Sequence, residues 1–370
     1  MSPNITSQAQ SESAPQKTIS IDNYKEDTPD RDLIDIIKHI HTTKSFDNII
    51  SLAEDWKLKK NDPDSVKYNG LTTYERLIDL VLLPINKESR AEYVSIIEDQ
   101  LARNKEALEA IINTSPGTTI SSGVLDSQPI PCSKVFLFDI DNCLYSKKLN
   151  IHVIMHLLIV KYVQYILQLD TFEKTDVLNE KYYKQYGLAI KGLITERPEL
   201  NLDCITYNKF ADEAVPLHKI IKPDLKLRET LLKIKNSGKF DKLWLFTNAY
   251  KPHAVRCIVL LGIADLFDGL TYCDYKDDII CKPDPNAYWK MTEEVGLKGD
   301  TIEERLKDCY FIDDSLANLK SGLKLNMKKC ILIDHDVNEP YVLDDDKSVN
   351  KINVVGSFSD LEIAVPEIFE

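Results

Sequence analysis

The chain has 370 residues, 43% of them hydrophobic and 28% charged, with a formal net charge of −13. That length exceeds one typical domain of roughly 100 to 200 residues, so two or three units are expected. The acidity, with no basic patch in either half, argues against a nucleic-acid polymer as partner but not against a single nucleotide.

Residues 1–27, rich in Ser, Gln, Pro and Asp, read as a disordered tail without the apolar region of a secretory signal. An all-helical module is expected over 28–113. Thr28-Pro29 and Ser45 open two helices, Thr72-Thr73-Tyr74-Glu75 forms a capping box for a third that Pro84 stops, and a fourth covers Glu88 to Ile112. His39 and His41 stand two apart on a helix and point to different faces, so they suggest no site. The module reads as a brace for an enzyme or a surface for a protein partner. Residues 114–132, with three prolines and two glycines, read as a linker.

From Ser133 the pattern alternates strand and helix, which gives an α/β class with a parallel sheet. The apolar runs are Val135 to Phe138, Leu243 to Phe246, Tyr310 to Ile312 and Ile331 to Ile333, with a weaker one at Gly269 to Cys273. A strand apolar at every position is buried on both faces, and such sheets bind ligands beyond the C-terminal ends of their strands. The first run leads into Asp139-Ile140-Asp141, the second into Thr247-Asn248 and the third into Asp313-Asp314, while Lys282-Pro283 follows the weaker strand. Between Asp141 and Thr247 there is room for an inserted helical cap over 149–222, leaving 133–148 and 223–370 as the core. Its most apolar stretch, Ile151 to Leu169, is broken by His152, His156, Lys161, Gln164 and Gln168, so it reads as a buried helix and not a membrane span. His152 and His156 share a helix face, but no carboxylate nearby in sequence marks them as metal ligands.

These residue types suit phosphoryl transfer. A carboxylate attacking a phosphate dianion needs a divalent cation to neutralise the repulsion, and oxygen ligands favour Mg²⁺. Asp139 is the expected nucleophile, and Asp141 the acid and then the base. Asp139, Asp141 and Asp313 form the expected cation set, with Asp314 in support. Thr247 and Asn248, with their backbone amides, are expected to hold the phosphoryl oxygens, with Lys282 supplying positive charge among the phosphate-binding groups. Tyr145, Tyr186, Gly187 and Lys191 are the candidates for facing the leaving group.

The segments Phe138 to Tyr145, Leu245 to Ala249, Cys281 to Pro283 and Phe311 to Ser315 together resemble the four motifs of the haloacid dehalogenase-like phosphatases. Within that superfamily, Tyr186 to Leu193, Lys242 to Tyr250 and Leu266 to Tyr275 resemble the fungal pyrimidine 5′-nucleotidase group. The resemblance implies a Rossmann-like doubly wound sheet, Mg²⁺, and the roles above. It also implies hydrolysis of nucleoside 5′-monophosphates, UMP or CMP first. Relatives acting on lysophosphatidic acid or other small phosphomonoesters supply one alternative, and a weakly catalytic protein with a binding or regulatory role supplies another. One departure is Cys143, where the family has Thr or Val; it should donate a weaker hydrogen bond to the loop that aims Asp139. With no histidine close in sequence, a Cys143 nucleophile is disfavoured. Eight scattered cysteines without a Cys-x-x-Cys pair fit reduced thiols and a cytoplasmic, or additionally nuclear, location.

Overall fold

The computed structural model describes Leu80 and residues 83–370, apart from 127, 276–278 and 344–350. The tail, the helix caps at Thr28, Ser45 and Thr72, and His39 and His41 lie outside the described residues.

Seven strands form one sheet in the order β3-β2-β1-β4-β5-β7-β6. They are β1 (Val135–Phe138), β2 (Lys242–Phe246), β3 (Gly269–Thr271), β4 (Tyr310–Asp313), β5 (Lys329–Ile333), β6 (Tyr341–Leu343) and β7 (Ile352–Val355). All neighbours run parallel except β6 against β7. Helices of eight residues or more are α1 (Arg90–Thr114), α2 (Ile151–Leu167), α3 (Phe172–Tyr186), α4 (Ala189–Glu196), α5 (Leu225–Asn236), α6 (Lys251–Leu260), α7 (Pro285–Val295) and α8 (Leu316–Lys324).

The all-apolar strands follow from helices on both faces of the sheet. Alternation sends Phe136 and Phe138 into one core with Leu243, Leu245 and Ile312, against α1, α5 and α6. The same alternation sends Val135 and Leu137 into a second core with Trp244, Phe246 and Phe311, against α7 and α8. Each buried aromatic of β1 contributes about 1.5–3 kcal/mol. Gly269 leaves the space that the Trp244 ring fills, since a Cβ there would meet the indole at 2.0 Å. This also explains why β3 is the weakest apolar run. Strands β6 and β7, at the far edge, are additions to the expected set.

Register fixes the site. Phe138 pairs with Leu245 on one side and Ile312 on the other, so β1, β2 and β4 end together. Asp139, Thr247 and Asp313 thereby share one edge.

Between β1 and α5 the chain inserts α2, α3, α4 and a π-helical turn, Lys209–Glu213. Tyr162, Tyr182, Leu193 and Tyr207 from this insert pack with Cys273 and Tyr275 from the loop after β3. No single described helix is long and apolar enough to cross a membrane. The pair α2 and α3 reaches that composition only together, and the two meet at 105°.

Helix α1 and the expected linker are joined to the core more closely than the sequence suggested. Tyr93, Ile96 and Ile97, spaced as one helix face, belong to the same core as β1. Asn104 donates to the carbonyls of Glu213 at 2.7 Å and Val215 at 3.1 Å, and Arg90 to that of Tyr165 at 2.8 Å. Residues 114–132 do not hang free: Ser121 Oγ donates to Phe267 O at 2.7 Å, Ala264 N to Gly117 O at 2.8 Å, and Val124 is buried. The helix expected over Glu88 to Ile112 is observed as Arg90–Thr114, packed on the core.

Candidate active site at the C-terminal edge of the sheet

Asp139 follows β1 directly, and its amide is still held by the ladder, donating to Ile312 O at 3.0 Å. Lys282, from the loop after β3, places its ammonium between two strand ends. It donates to Asp139 Oδ1 at 2.7 Å, Asp313 Oδ2 at 2.7 Å and Phe246 O at 2.6 Å. An ammonium has three protons, and all three are used. Asn318 Nδ2 adds 3.1 Å bonds to both oxygens of Asp313, and Ser315 N donates to Asp313 Oδ1 at 2.7 Å. Asp139, Asp313 and Lys282 are all buried.

Carboxylate oxygens of Asp139, Asp313 and Asp314 lie within 4.8 Å of one another, with Asp314 the most exposed. Three carboxylates face one ammonium. Burial, outweighing the help of Lys282 and reinforced by Asp313, therefore pushes Asp139 well above the ordinary carboxylate range. Burial and Asp313 push Asp314 up to about 7. Lys282 is held in its charged form, because the two aspartates overcome its burial.

Thr247 Oγ1 accepts from Ala249 N at 3.0 Å, which shapes the turn after β2. The Asn248 side chain, expected to hold phosphate, instead clasps Lys282. Its Nδ2 donates to Lys282 O at 2.9 Å and its Oδ1 accepts from Lys282 N at 2.7 Å. Both ends of the amide are thus committed to positioning the lysine.

Asp141 parts from the other aspartates. Its side chain does not join the three-carboxylate group, contrary to its expected place among the cation ligands; its Oδ1 accepts from Tyr145 OH at 2.6 Å and meets His253 Nε2 at 2.7 Å. Burial would raise this carboxyl, but His253 and then Tyr145 hold it below the ordinary range. His253 is fully buried; burial opposes its charge, yet Cys257 and Asp141 keep it well above the usual histidine range. Cys257 Sγ lies 3.5 Å from the same Nε2. This Asp-His-Cys group is not built for zinc. Two ligands on a tetrahedral ion with 2.0–2.1 Å bonds stand about 3.3 Å apart, whereas 2.7 Å is a hydrogen bond.

His253 was not foreseen. Its signal was the position of α6 immediately after Thr247-Asn248, with His253 and Cys257 one turn apart on the face toward the edge. Asp212, in the π-helical turn of the insert, is also buried near this group, and burial pushes it to about 6. Arg256 holds that turn by donating to Asp212 O at 3.2 Å and Glu213 O at 2.9 Å.

The leaving-group candidates divide. Tyr145 sits on Asp141, and Lys191 reaches the loop before Lys282, donating to Ile279 O at 3.3 Å. Tyr186 is engaged within the insert, with its hydroxyl on Glu196 at 3.3 Å, and Gly187 ends α3 at φ +80°. Tyr186 also packs on the cluster that the insert shares with the loop after β3. His156 pairs with Asp176 of α3 at 2.6 Å and so braces the insert. Cys143 is buried with its thiol toward Ile312 O at 3.7 Å, and burial followed by Asp139 pushes it well above the thiol range, so it is no nucleophile.

Buried carboxylates and an ammonium, gathered where parallel strands end, define an α/β enzyme fitted to an anionic substrate. Residues 133–326 match the haloacid dehalogenase-like hydrolase family model. Phosphate metabolism protein 8 of Saccharomyces cerevisiae is 38% identical over 285 residues, which span 74% of this chain and 85% of the relative. Solved structures of similar fold include a HAD phosphatase from Thermococcus onnurineus (17% identity, TM-score 0.42, 62% of this chain and 96% of that one). The HAD-hydrolase YfnB of Bacillus subtilis is another (14%, TM-score 0.37, 63% and 98%). The chain belongs to the haloacid dehalogenase-like hydrolase family.

Proposed function

We propose that this hydrolase is a magnesium-dependent phosphomonoesterase acting on nucleoside 5′-monophosphates, with UMP and CMP preferred. The observation that carries the phosphatase reading is the bridge of Lys282 between Asp139 and Asp313, with Thr247 on the same edge. Asp139 attacks phosphorus, the P–O bond to the leaving group breaks, and Asp141 gives that oxygen its proton, from a protonated form that the substrate's negative charge must favour against the His253 contact. Asp141 then takes a proton from the water that hydrolyses the aspartyl-phosphate on Asp139.

The carboxylate group fits a divalent cation, since two negative charges remain after Lys282 is counted and the raised Asp139 must be ionised to attack. Asp139 and Asp313, with Asp314 in support, would hold Mg²⁺, which supplies charge neutralisation when bound. The insert over 149–222 serves as a cap, its tyrosines sealing against Tyr275 and Lys191 tying it to the Lys282 loop. The pyrimidine preference rests on the likeness of 186–193, 242–250 and 266–275 to the fungal 5′-nucleotidase group. The name of the yeast relative, Phosphate metabolism protein 8, accords with phosphate chemistry.

The test is phosphate release by purified protein from UMP, CMP, AMP, lysophosphatidic acid and sugar phosphates, with and without Mg²⁺. Preference for UMP and CMP supports the reading. Release that survives EDTA removes the metal, and no release from any ester removes the phosphatase.

A further inference from the structure

We infer that His253 is a positioning residue for the reaction: it fixes the atom of Asp141 that carries the transferable proton. The inference rests on the reading of Asp141 as the acid and base.

A carboxyl oxygen presents two lone-pair sites. Oδ1 of Asp141 commits both, one to Tyr145 OH at 2.6 Å and one to His253 Nε2 at 2.7 Å. An ionised carboxylate only accepts, so Nε2 is the donor. A proton taken up by Asp141 then has one place to sit, Oδ2, and a carboxyl clamped at Oδ1 cannot rotate to exchange its oxygens. Tyr145 alone would not achieve this, because it stands on the same loop as Asp141, four residues away, and moves with it. His253 comes from α6, the helix that follows β2 and packs in the same core as β1. It therefore ties the proton carrier to the rigid frame that also holds Thr247.

A second observation points the same way. His253 is fully buried, and its Nδ1 has no hydrogen-bond partner among the described residues. A buried imidazole with one idle nitrogen costs stability that an apolar side chain would avoid. The bond to Asp141 is the gain that offsets it.

The test separates positioning from packing by the leaving group. An alkoxide needs a proton as it departs, whereas 4-nitrophenolate does not. First-turnover rates would be measured with Mg²⁺ for the wild type, His253→Phe, His253→Gln and His253→Asn, on UMP and on 4-nitrophenyl phosphate. Gln carries an amide donor near the place of Nε2, and Asn is too short to reach it. The expected result with UMP is a loss of about 100-fold for Phe and Asn, the scale of general acid catalysis, most of it recovered by Gln. With 4-nitrophenyl phosphate all variants should stay within about threefold in the first turnover, because that step needs no acid. Equal losses on both substrates, or equal behaviour of Gln and Asn, would overturn the inference, as would a faster UMP turnover in any variant. Should Phe fail to give folded protein by circular dichroism, the Gln and Asn pair still decides. A wild type that turns over neither substrate removes the phosphatase reading itself, a different result from an active wild type with indifferent variants.

Discussion

Along the sheet edge the buried groups are charged and each has several partners: Lys282 meets three oxygens and Asp313 accepts from three donors. Across the insert the buried cluster that faces the loop after β3 is built on rings, Tyr162, Tyr182 and Tyr207, and the charged groups buried in the insert, Lys161 and Asp212, stand outside the three-carboxylate group, with Lys191 to Ile279 O tying the insert to the Lys282 loop. Groups that must hold charge without water need partners fixed by backbone. Groups that exclude water need only area. Substitutions at the edge should therefore change the rate, and substitutions on the insert should change affinity or nothing.

The largest effect should come from Asp139→Asn, which removes the nucleophile and should lower phosphate release by more than about 10⁴-fold. Retention of even a tenth of the activity would dissolve the contrast. Next, Lys282→Met leaves Asp139 and Asp313 buried without their cation. Turnover should fall about 10²- to 10³-fold. Stability should fall by about 3–5 kcal/mol in urea unfolding without metal. Lys191→Ala should raise KM about three- to tenfold with kcat unchanged, the worth of one hydrogen bond. A fall in kcat instead would move Lys191 into the chemistry. Tyr186→Ala, which loses a half-buried ring packed on Tyr182 but no group of the three-carboxylate site, should leave both constants within about twofold while lowering stability by about 1 kcal/mol in urea unfolding.

The smallest effect is on stability alone. His218, at the end of the insert, is pushed down to about 4, chiefly by burial and then by Lys219 and Arg256. The unfolded chain, with an ordinary histidine near 6.5, takes the proton first. Its contribution is complete above that value and is lost as pH falls toward 4. Between pH 7 and 5 the loss should be about 1 kcal/mol by urea unfolding, after allowance for partial exposure. His218→Gln should flatten that slope.

The strands that carry the edge were legible because burial on both faces removes every polar residue from Val135 to Phe138 and Leu243 to Phe246. Strand β7 was not, since Asn353 interrupts it and the acidic run Asp344-Asp345-Asp346 precedes it. Asp139, Lys282 and Asp313 could be named before their distances were known, because each ends a strand or lies in the loop beside one. His253 could not, because a histidine in the first turn of a helix looks like any other until the opposite loop is in place. The amide of Asn248 was assigned to phosphate on residue type, yet only the fold shows both its ends occupied by Lys282. Tyr186 and Gly187 were named as cap residues to face the leaving group, but a position in the cap says nothing of partners such as Glu196 on Tyr186.

The place of β1 in the middle of the sheet has a consequence for biosynthesis. Its two neighbours, β2 and β4, are both made only after the whole insert has left the ribosome. Until then Val135-Phe136-Leu137-Phe138 is an apolar β-forming run with both edges open, the kind of segment that aggregates. Lys134 stands before it, and Asp139 and Asp141 stand after it. The charges that flank the run act as gatekeepers while it waits. The two aspartates assigned to the chemistry thus also protect the nascent chain, and Asp139→Asn should refold with more aggregation than its native-state stability would indicate.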